Sequence, residues 1–308
     1  MARVFVTRRL PGDAVDRLAR EHEVDLWPDP DPPRRADLIE HTTQAEALLS
    51  QLTDPVDAEL LAAAPHLKAI ANYAVGYDNI DIAAATERGI PVGNTPDVLT
   101  ETTAELAFAL MLAVARRIVE ADRYVREGRW GPWSPDLLLG HDLNGSTLGI
   151  VGFGRIGQAV ARRAEGFAMT VIHGIPLGEL LERSDFVSLH APLTPQTRGL
   201  IGAAELERMK PTAILVNTAR GPMVDTDALA VALREGTIAG AGLDVTDPEP
   251  LPPDHPLLEA PNLVVAPHIG SASHRTREAM ADMAVDNLLA ALAGERMPHC
   301  ANPEVYDG

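Results

Sequence analysis

The sequence predicts an α/β protein with two doubly wound parallel-sheet domains. Three observations predict it. Short apolar, β-rich runs alternate with helical patterns along nearly all of the 308 residues, as parallel strands joined by crossover helices do. The length exceeds what a single core usually fills. A glycine-rich turn, 152-GFGRIG-157, stands midway, where an apolar run meets a helical one.

In the first hundred residues, strands are expected at Arg3 to Thr7, Glu23 to Trp27, Ala47 to Gln51, Lys68 to Asn72 and Pro91 to Asn94. Helical patterns such as 57-DAELLAAA-64 fill the spaces, and 28-PDPDPPRR-35 reads as an exposed loop. The stretch from Thr100 to Gly128 reads as one long helix, a spine between domains, with Thr at its start, carboxylates in its first turn and glycine at its end. After a looser segment, 129-RWGPWSPDLLLGHDLNG-145, a second series of strands follows. These are expected at Thr147 to Val151, Ala168 to Ile172, Asp185 to Leu189, Ala213 to Asn217, Ala239 to Leu243 and Leu263 to Val265. A last helical pattern, residues 274–294, comes after the second sheet, while the first domain lacks a closing element. Placing it back on the first domain gives a discontinuous domain, 1–99 with 272–308, and a second domain, 100–271.

Lys and Arg number 26 against 44 Asp and Glu, a formal charge of −18. That balance disfavours nucleic acid and anionic membranes, so an anionic ligand must meet a local positive site. The single cysteine, Cys300, excludes an internal disulfide and offers no metal cluster, which suits a reducing cytosol. The opening MARVFVTRRLPGDAV has no signal-type apolar core, and no run approaches the ~18 apolar residues of a membrane span. The expectation is a cytoplasmic protein.

In the central turn, Gly152 permits the tight bend, Gly154 lets backbone approach a pyrophosphate, and Gly157 lets helix pack on strand. The helix that follows offers unpaired N–H groups to phosphates. A glycine triplet can also be a plain structural turn; its position between this strand and this helix favours a dinucleotide. An acid that reads the ribose, or a base that reads a 2′-phosphate, is expected about 20 residues on. Instead the strand runs into His173 and Gly174. About a dozen residues then separate it from the next strand, near the lower limit for a crossover with its helix. Either the loop is shortened or residues are missing from the sequence between His173 and Gly174. The second reading is favoured here, and NAD versus NADP stays open.

Three strand-end stretches carry polar residues that a buried sheet does not need: 217-NTARGPMVD-225, 244-DVTDPEP-250 and 267-PHIGS-271. Ligands of open α/β sheets bind beyond the carboxyl ends of strands, so Arg220, Glu249 and His268 are candidates for one rim. They suit reduction of a 2-oxo acid. Arg220 can grip a carboxylate or keto oxygen with its planar fork. His268 can donate a proton to the carbonyl oxygen, supported by Glu249 on its other nitrogen. Singly, each has a plain structural reading: a solvated arginine, a proline turn, a donor histidine. Their order after a dinucleotide turn carries the functional one.

With these motifs on view, the sequence resembles the D-isomer-specific 2-hydroxyacid dehydrogenase family, and within it the glyoxylate and hydroxypyruvate reductases. The resemblance is carried by 152-GFGRIG-157, 190-HAPLTPQTRGLI-201, 210-KPTAILVNTARGPMVDTDAL-229, 239-AGAGLDVTDPEPLP-252, 264-VVAPHIGSAS-273, 70-IANYAVGYDNIDI-82 and 91-PVGNTPDVLTETTAELAFALML-112. It implies two Rossmann-like or flavodoxin-like domains with an active-site cleft between them. By it, Arg220, Glu249 and His268 match the family's substrate-binding arginine, supporting glutamate and proton-donating histidine. Ala74, Val75 and Gly76 match the loop that holds the substrate carboxylate, though they also read as a simple glycine turn.

For the cofactor, NAD or NADP, the resemblance points to Gly152, Phe153, Gly154, Arg155, Ile156 and Gly157 at the pyrophosphate. It puts His190 and Pro192 on the adenine side and Thr218 and Asp244 on the nicotinamide side, and counts His268 and Gly270 among the cofactor-binding residues. It further implies a small anionic 2-oxo acid substrate and a homodimer, with the arm of Trp130, Pro132 and Trp133 reaching a second subunit. Two other readings remain: another D-2-hydroxyacid dehydrogenase, D-lactate-like or phosphoglycerate-like, and a nucleotide-sensing protein like the family's co-repressor relatives.

Overall fold

The computed structural model describes residues 1–307. In chain order the elements begin β1 (Arg3–Val6), α1 (Ala14–Glu21), β2 (Glu23–Leu26), α2 (Arg35–Thr43), β3 (Ala47–Ser50), α3 (Ala58–Ala63), β4 (Ala69–Asn72), α4 (Ile82–Glu87) and β5 (Val92–Gly93). Then come α5 (Thr100–Ala115), α6 (Ile118–Arg126), β6 (Thr147–Val151), α7 (Arg155–Glu165), β7 (Thr170–Ile172), α8 (Leu177–Arg183) and β8 (Phe186–Leu189). The last are α9 (Ala203–Arg208), β9 (Ile214–Asn217), α10 (Thr226–Glu235), β10 (Gly240–Leu243), β11 (Leu263–Val265) and α11 (His274–Leu292). The chain divides into two compact units, one of Met1–Leu99 with Ser271–Gly308 and one of Thr100–Gly270.

In the first unit the strands pair in parallel in the order β2-β1-β3-β4-β5. β3 and β4 are buried at every residue, the signature of a parallel sheet covered on both faces. α11 lies on β3, β4 and β5 and against α1, where Arg17 reaches Asp282 and Asp286. Side-chain caps fix several helix starts: Asp57 accepts from Leu60 N, Asp81 from Ala84 N, and Ser273 from Thr276 N.

The second unit has six parallel strands in the order β11-β10-β9-β8-β6-β7. Two apolar clusters fill it, one around Leu215, Leu189 and Leu229 and one around Met111, Ile150 and Phe186. In both sheets the first strand has the second on one side and the third on the other, so the order reverses between β1 and β3 and between β6 and β8. Ligands of such sheets bind at that reversal, outside the strand ends.

One expectation is corrected. The single helix from Thr100 to Gly128 breaks: α5 stops at Ala115, and Arg117 takes a left-handed φ of 51° before α6. The Ala115 carbonyl accepts the N–H of His141 at 2.8 Å. Gly140 packs so closely there that a Cβ on it would lie 2.1 Å from that oxygen. A distant segment thus takes the carbonyl that a continuing helix would use. The other expectation concerned His173 and Gly174. The chain passes from β7 to α8 through His173, Gly174, Ile175 and Pro176, with Gly174 turning at φ 67°. The crossover of the sequence as it stands is short and carries no further residue between β7 and α8. Among the described residues no helix is long and apolar enough to cross a membrane.

Candidate active site

β6 delivers the chain to Gly152, whose φ is 91° and whose added Cβ would lie 2.4 Å from Ala191 N. Both conformation and the neighbouring backbone after β8 require glycine there. A Cβ on Gly157 would sit 2.2 Å from the Gly152 carbonyl oxygen, so helix and strand meet through it. Gly154 differs: nothing lies within 4 Å of its added Cβ. It begins α7 with no side-chain cap and no acid in the first turn, and Arg155 and Ile156 open the helix. An uncapped helix N-terminus behind a Cβ-free approach fits a pyrophosphate.

Around this turn, the ring of Phe153 stacks flat on His173, centroids 3.5 Å apart and planes 2° from parallel. His190 follows β8, its Nε2 2.8 Å from Ser188 Oγ and its Nδ1 3.5 Å from Thr218 Oγ1. Burial pushes its pKa down to about 4, so the ring is neutral at pH 7. The Pro192 carbonyl accepts from Thr197 Oγ1 at 2.7 Å. Sequence reasoning missed Ser188; the signal was a hydroxyl in the otherwise apolar strand FVSL.

Arg220, Glu249 and His268 follow β9, β10 and β11, three neighbouring strands. After β9, Asn217 shapes the turn by accepting from Ala219 N at 3.0 Å and donating to the Arg220 carbonyl at 2.9 Å. The role of Asn217 was also missed; the signal was a polar amide closing the apolar run ILVN, and it is fully buried. Gly221 lies so close to the loop after β10 that a Cβ would be 1.8 Å from Thr246 O. The Arg220 and Glu249 loops are therefore in contact. Arg220 itself donates from Nη1 to the Ala219 carbonyl at 2.8 Å.

His268 has a left-handed φ of 54°, rare for a residue with a side chain. Buried Asp244 holds it there: one carboxylate oxygen accepts from Ile269 N at 2.7 Å, the other from Gly270 N at 2.8 Å, and its carbonyl accepts from His268 N at 2.9 Å. Thr103 Oγ1 donates to the Gly270 carbonyl at 3.3 Å. Burial pushes the Asp244 carboxyl up, opposed by the Ile269 N–H and by His268. At the ring, Nδ1 donates to Glu249 Oε1 at 2.6 Å, because an ionised carboxylate can only accept. Nε2 has no partner among the described residues and is the nitrogen left for chemistry.

In the other unit, Ala74, Val75 and Gly76 follow β4. The Asn94 side chain donates to the Val75 carbonyl at 2.8 Å, Asn72 donates to that of Gly76 at 2.9 Å, and Thr95 N donates to that of Ala74 at 2.9 Å. Every carbonyl of the loop is tied down. The N–H groups of Val75 and Gly76 meet no acceptor among the described residues, an arrangement that suits an anion.

A family model described as "D-isomer specific 2-hydroxyacid dehydrogenase, NAD binding domain" matches residues 108–270. The chain is 56% identical over 320 residues to a glyoxylate reductase of Korarchaeum cryptofilum, covering 98% of this chain and 96% of that one. It is 52% identical over 323 residues to a glyoxylate reductase of Thermococcus litoralis, covering 98% and 97%. Among solved structures, the TT0316 protein of Thermus thermophilus is similar at a TM-score of 0.93 and 53% identity, over 97% of this chain and 99% of that one. An NADPH-dependent glyoxylate/hydroxypyruvate reductase of Sinorhizobium meliloti, solved with NADP and malonate, is similar at a TM-score of 0.85 and 35% identity, over 98% and 97%.

Proposed function

The chain belongs to the D-isomer specific 2-hydroxyacid dehydrogenase family, and from that premise we propose that it reduces a small 2-oxo acid, glyoxylate or hydroxypyruvate, to glycolate or D-glycerate. The observation that carries this is the 2.6 Å bond from His268 Nδ1 to Glu249 Oε1 on a turn clamped by Asp244. It fixes the imidazole with Nε2 as its one available proton-bearing atom.

A nicotinamide cofactor, NAD(H) or NADP(H), supplies the hydride when bound. The chain's own groups do the rest. Gly152 to Gly157 and the start of α7 hold the pyrophosphate, with His190 and Pro192 toward the adenine and Thr218, Asp244 and Gly270 toward the nicotinamide. Arg220 holds the substrate's oxygens through a planar, permanently charged fork. The Val75 and Gly76 N–H groups, with Ala74, take its carboxylate. His268 Nε2 gives the proton to the carbonyl oxygen, and Glu249 stabilises the charge the ring carries beforehand.

The working form is a homodimer in the cytosol. Trp130, Trp133 and Leu139 are 73%, 85% and 67% exposed, and aromatic side chains of this kind anchor interfaces. A monomeric sedimentation coefficient overturns the dimer. The unpaired Cys300 fits a reducing compartment.

The test is steady-state oxidation of NADH and NADPH with glyoxylate, hydroxypyruvate and a bulkier 2-oxo acid. Turnover with the first two at the higher specificity constants is expected. A higher specificity constant on the bulky acid moves the substrate assignment to another member of the family. Tight cofactor binding with no turnover on any acid moves the protein to the nucleotide-sensing class.

A further inference from the structure

We infer that this chain does not discriminate between a 2′-hydroxyl and a 2′-phosphate on the cofactor's adenosine ribose, and that His173 is the residue that leaves the choice open. The inference rests on the reductase reading, because it concerns the same dinucleotide site. In such sites the ribose is read at the end of the strand that follows the phosphate-binding helix, where a carboxylate accepts from the 2′-hydroxyl. The same carboxylate repels a 2′-phosphate.

Here that strand is β7, an edge strand paired only with β6. It ends at Ile172 and is followed by His173, Gly174, Ile175 and Pro176, none of them acidic. The next carboxylate, Glu179, lies inside α8 and is held by Arg183 at 2.6 Å. The strand end therefore presents an imidazole. Its ring lies flat on Phe153, 3.5 Å away, over the glycine turn itself. The only charged residue of that turn is the cation Arg155.

An imidazole donates to a phosphate oxygen or bonds a hydroxyl equally well. At Gly174 the chain turns away at φ 67°, and an added Cβ there would meet nothing within 4 Å. The link from β7 to α8 leaves space beside Gly174 and carries no anion to repel a 2′-phosphate. The short link thus removes the usual selector, and the Phe153–His173 stack takes its place as a surface indifferent to the extra phosphate.

Isothermal titration of the full-length protein with NADH and with NADPH tests this at one fixed ionic strength. The two dissociation constants are expected to agree within tenfold. A preference beyond tenfold for either cofactor overturns the inference while leaving the reductase reading intact. Binding of neither overturns the reading on which both stand.

His173 is exposed, so variants there are expected to fold, with the melting temperature as the check. H173D is expected to weaken NADPH at least tenfold and NADH less than threefold, whereas H173A, which only removes the stack, leaves the ratio unchanged. Equal weakening of both cofactors by H173D, or no change in their ratio, overturns the assignment to His173.

Discussion

Asp244→Asn separates the backbone clamp on His268 from everything else at the site. The carboxylate receives Ile269 N–H at 2.7 Å and Gly270 N–H at 2.8 Å. An asparagine has one acceptor oxygen, so whichever way its amide is turned, its NH2 faces the other N–H. One charge-assisted bond is lost and a buried donor is left unpaired, together costing about 2–3 kcal/mol. The left-handed His268 backbone stores strain of about 1–3 kcal/mol. The loss therefore matches what the clamp holds, and the turn relaxes in a large share of molecules. At about 1.4 kcal/mol per tenfold in rate, kcat is expected to fall roughly 10- to 100-fold.

Stability is expected to change less than activity. Burial raises the Asp244 pKa, so its contribution to folding is present below the unfolded value and is lost as pH rises through the folded one. A neutral amide escapes that ionisation penalty, so the melting temperature is expected to drop little. The assays are kcat at saturating substrate, cofactor titration and thermal unfolding. A kcat within twofold of the parent refutes the clamp, and a fall in cofactor affinity as large as the fall in kcat places the main role of Asp244 at the cofactor.

Gly154→Val puts a side chain where nothing lies within 4 Å, on a backbone at φ −76° and ψ −162° that valine adopts without strain. Its melting temperature is expected to stay within about 2 °C of the parent, while calorimetric cofactor affinity falls at least tenfold; undiminished affinity removes the pyrophosphate from this turn. His190 has a folded pKa of about 4 against an unfolded value near 6.5. Its neutral form therefore stabilises the fold fully above pH ~6.5, and about 3 kcal/mol is lost as pH falls toward 4. In NMR titration its ring resonance, identified by its loss in His190→Gln, is expected not to move between pH 8 and 5; titration near 6.5 contradicts burial as the cause. His268→Gln is expected to lose far more turnover than cofactor affinity, and Arg220→Ala mainly to raise KM while also slowing turnover. Near-parental rates in His268→Gln at neutral pH exclude it as the proton donor.

The parallel sheets were legible because strands buried on both faces leave uninterrupted apolar runs, as in 214-ILVN-217 and 47-ALLS-50. Their ends were less so: β7 starts at Thr170, since Ala168 has a left-handed φ of 51° and Met169 N bonds back to the Ala164 carbonyl. The break at Arg117 could not be read locally. The residues from Leu112 to Ile118 carry neither glycine nor proline, and what ends α5 is Gly140 and His141 arriving from more than twenty positions away. Helix signals are local, whereas the competitor for a carbonyl can come from anywhere in the fold.

At the site, the residues that announced themselves were those whose chemistry is conspicuous by type: glycines at a strand end, an arginine, a glutamate and a histidine after apolar strands. What stayed hidden was how residues hold one another in place, even for Asp244, which the resemblance had put at the cofactor. Asp244 grips a backbone 25 positions away through both its oxygens, and no spacing rule links a carboxylate to two amides across neighbouring strands. The division of labour has a physical logic. Glu249 bonds the ring of His268 and fixes which nitrogen carries the available proton, whereas Asp244 and Thr103 bond the turn beneath and fix where the ring stands. A backbone in a sparsely populated region persists only where its surroundings over-determine it. Five hydrogen bonds converging on the backbone from His268 to Gly270 supply that excess here, and spending them on one imidazole is hard to explain if the imidazole is not the group that handles the proton.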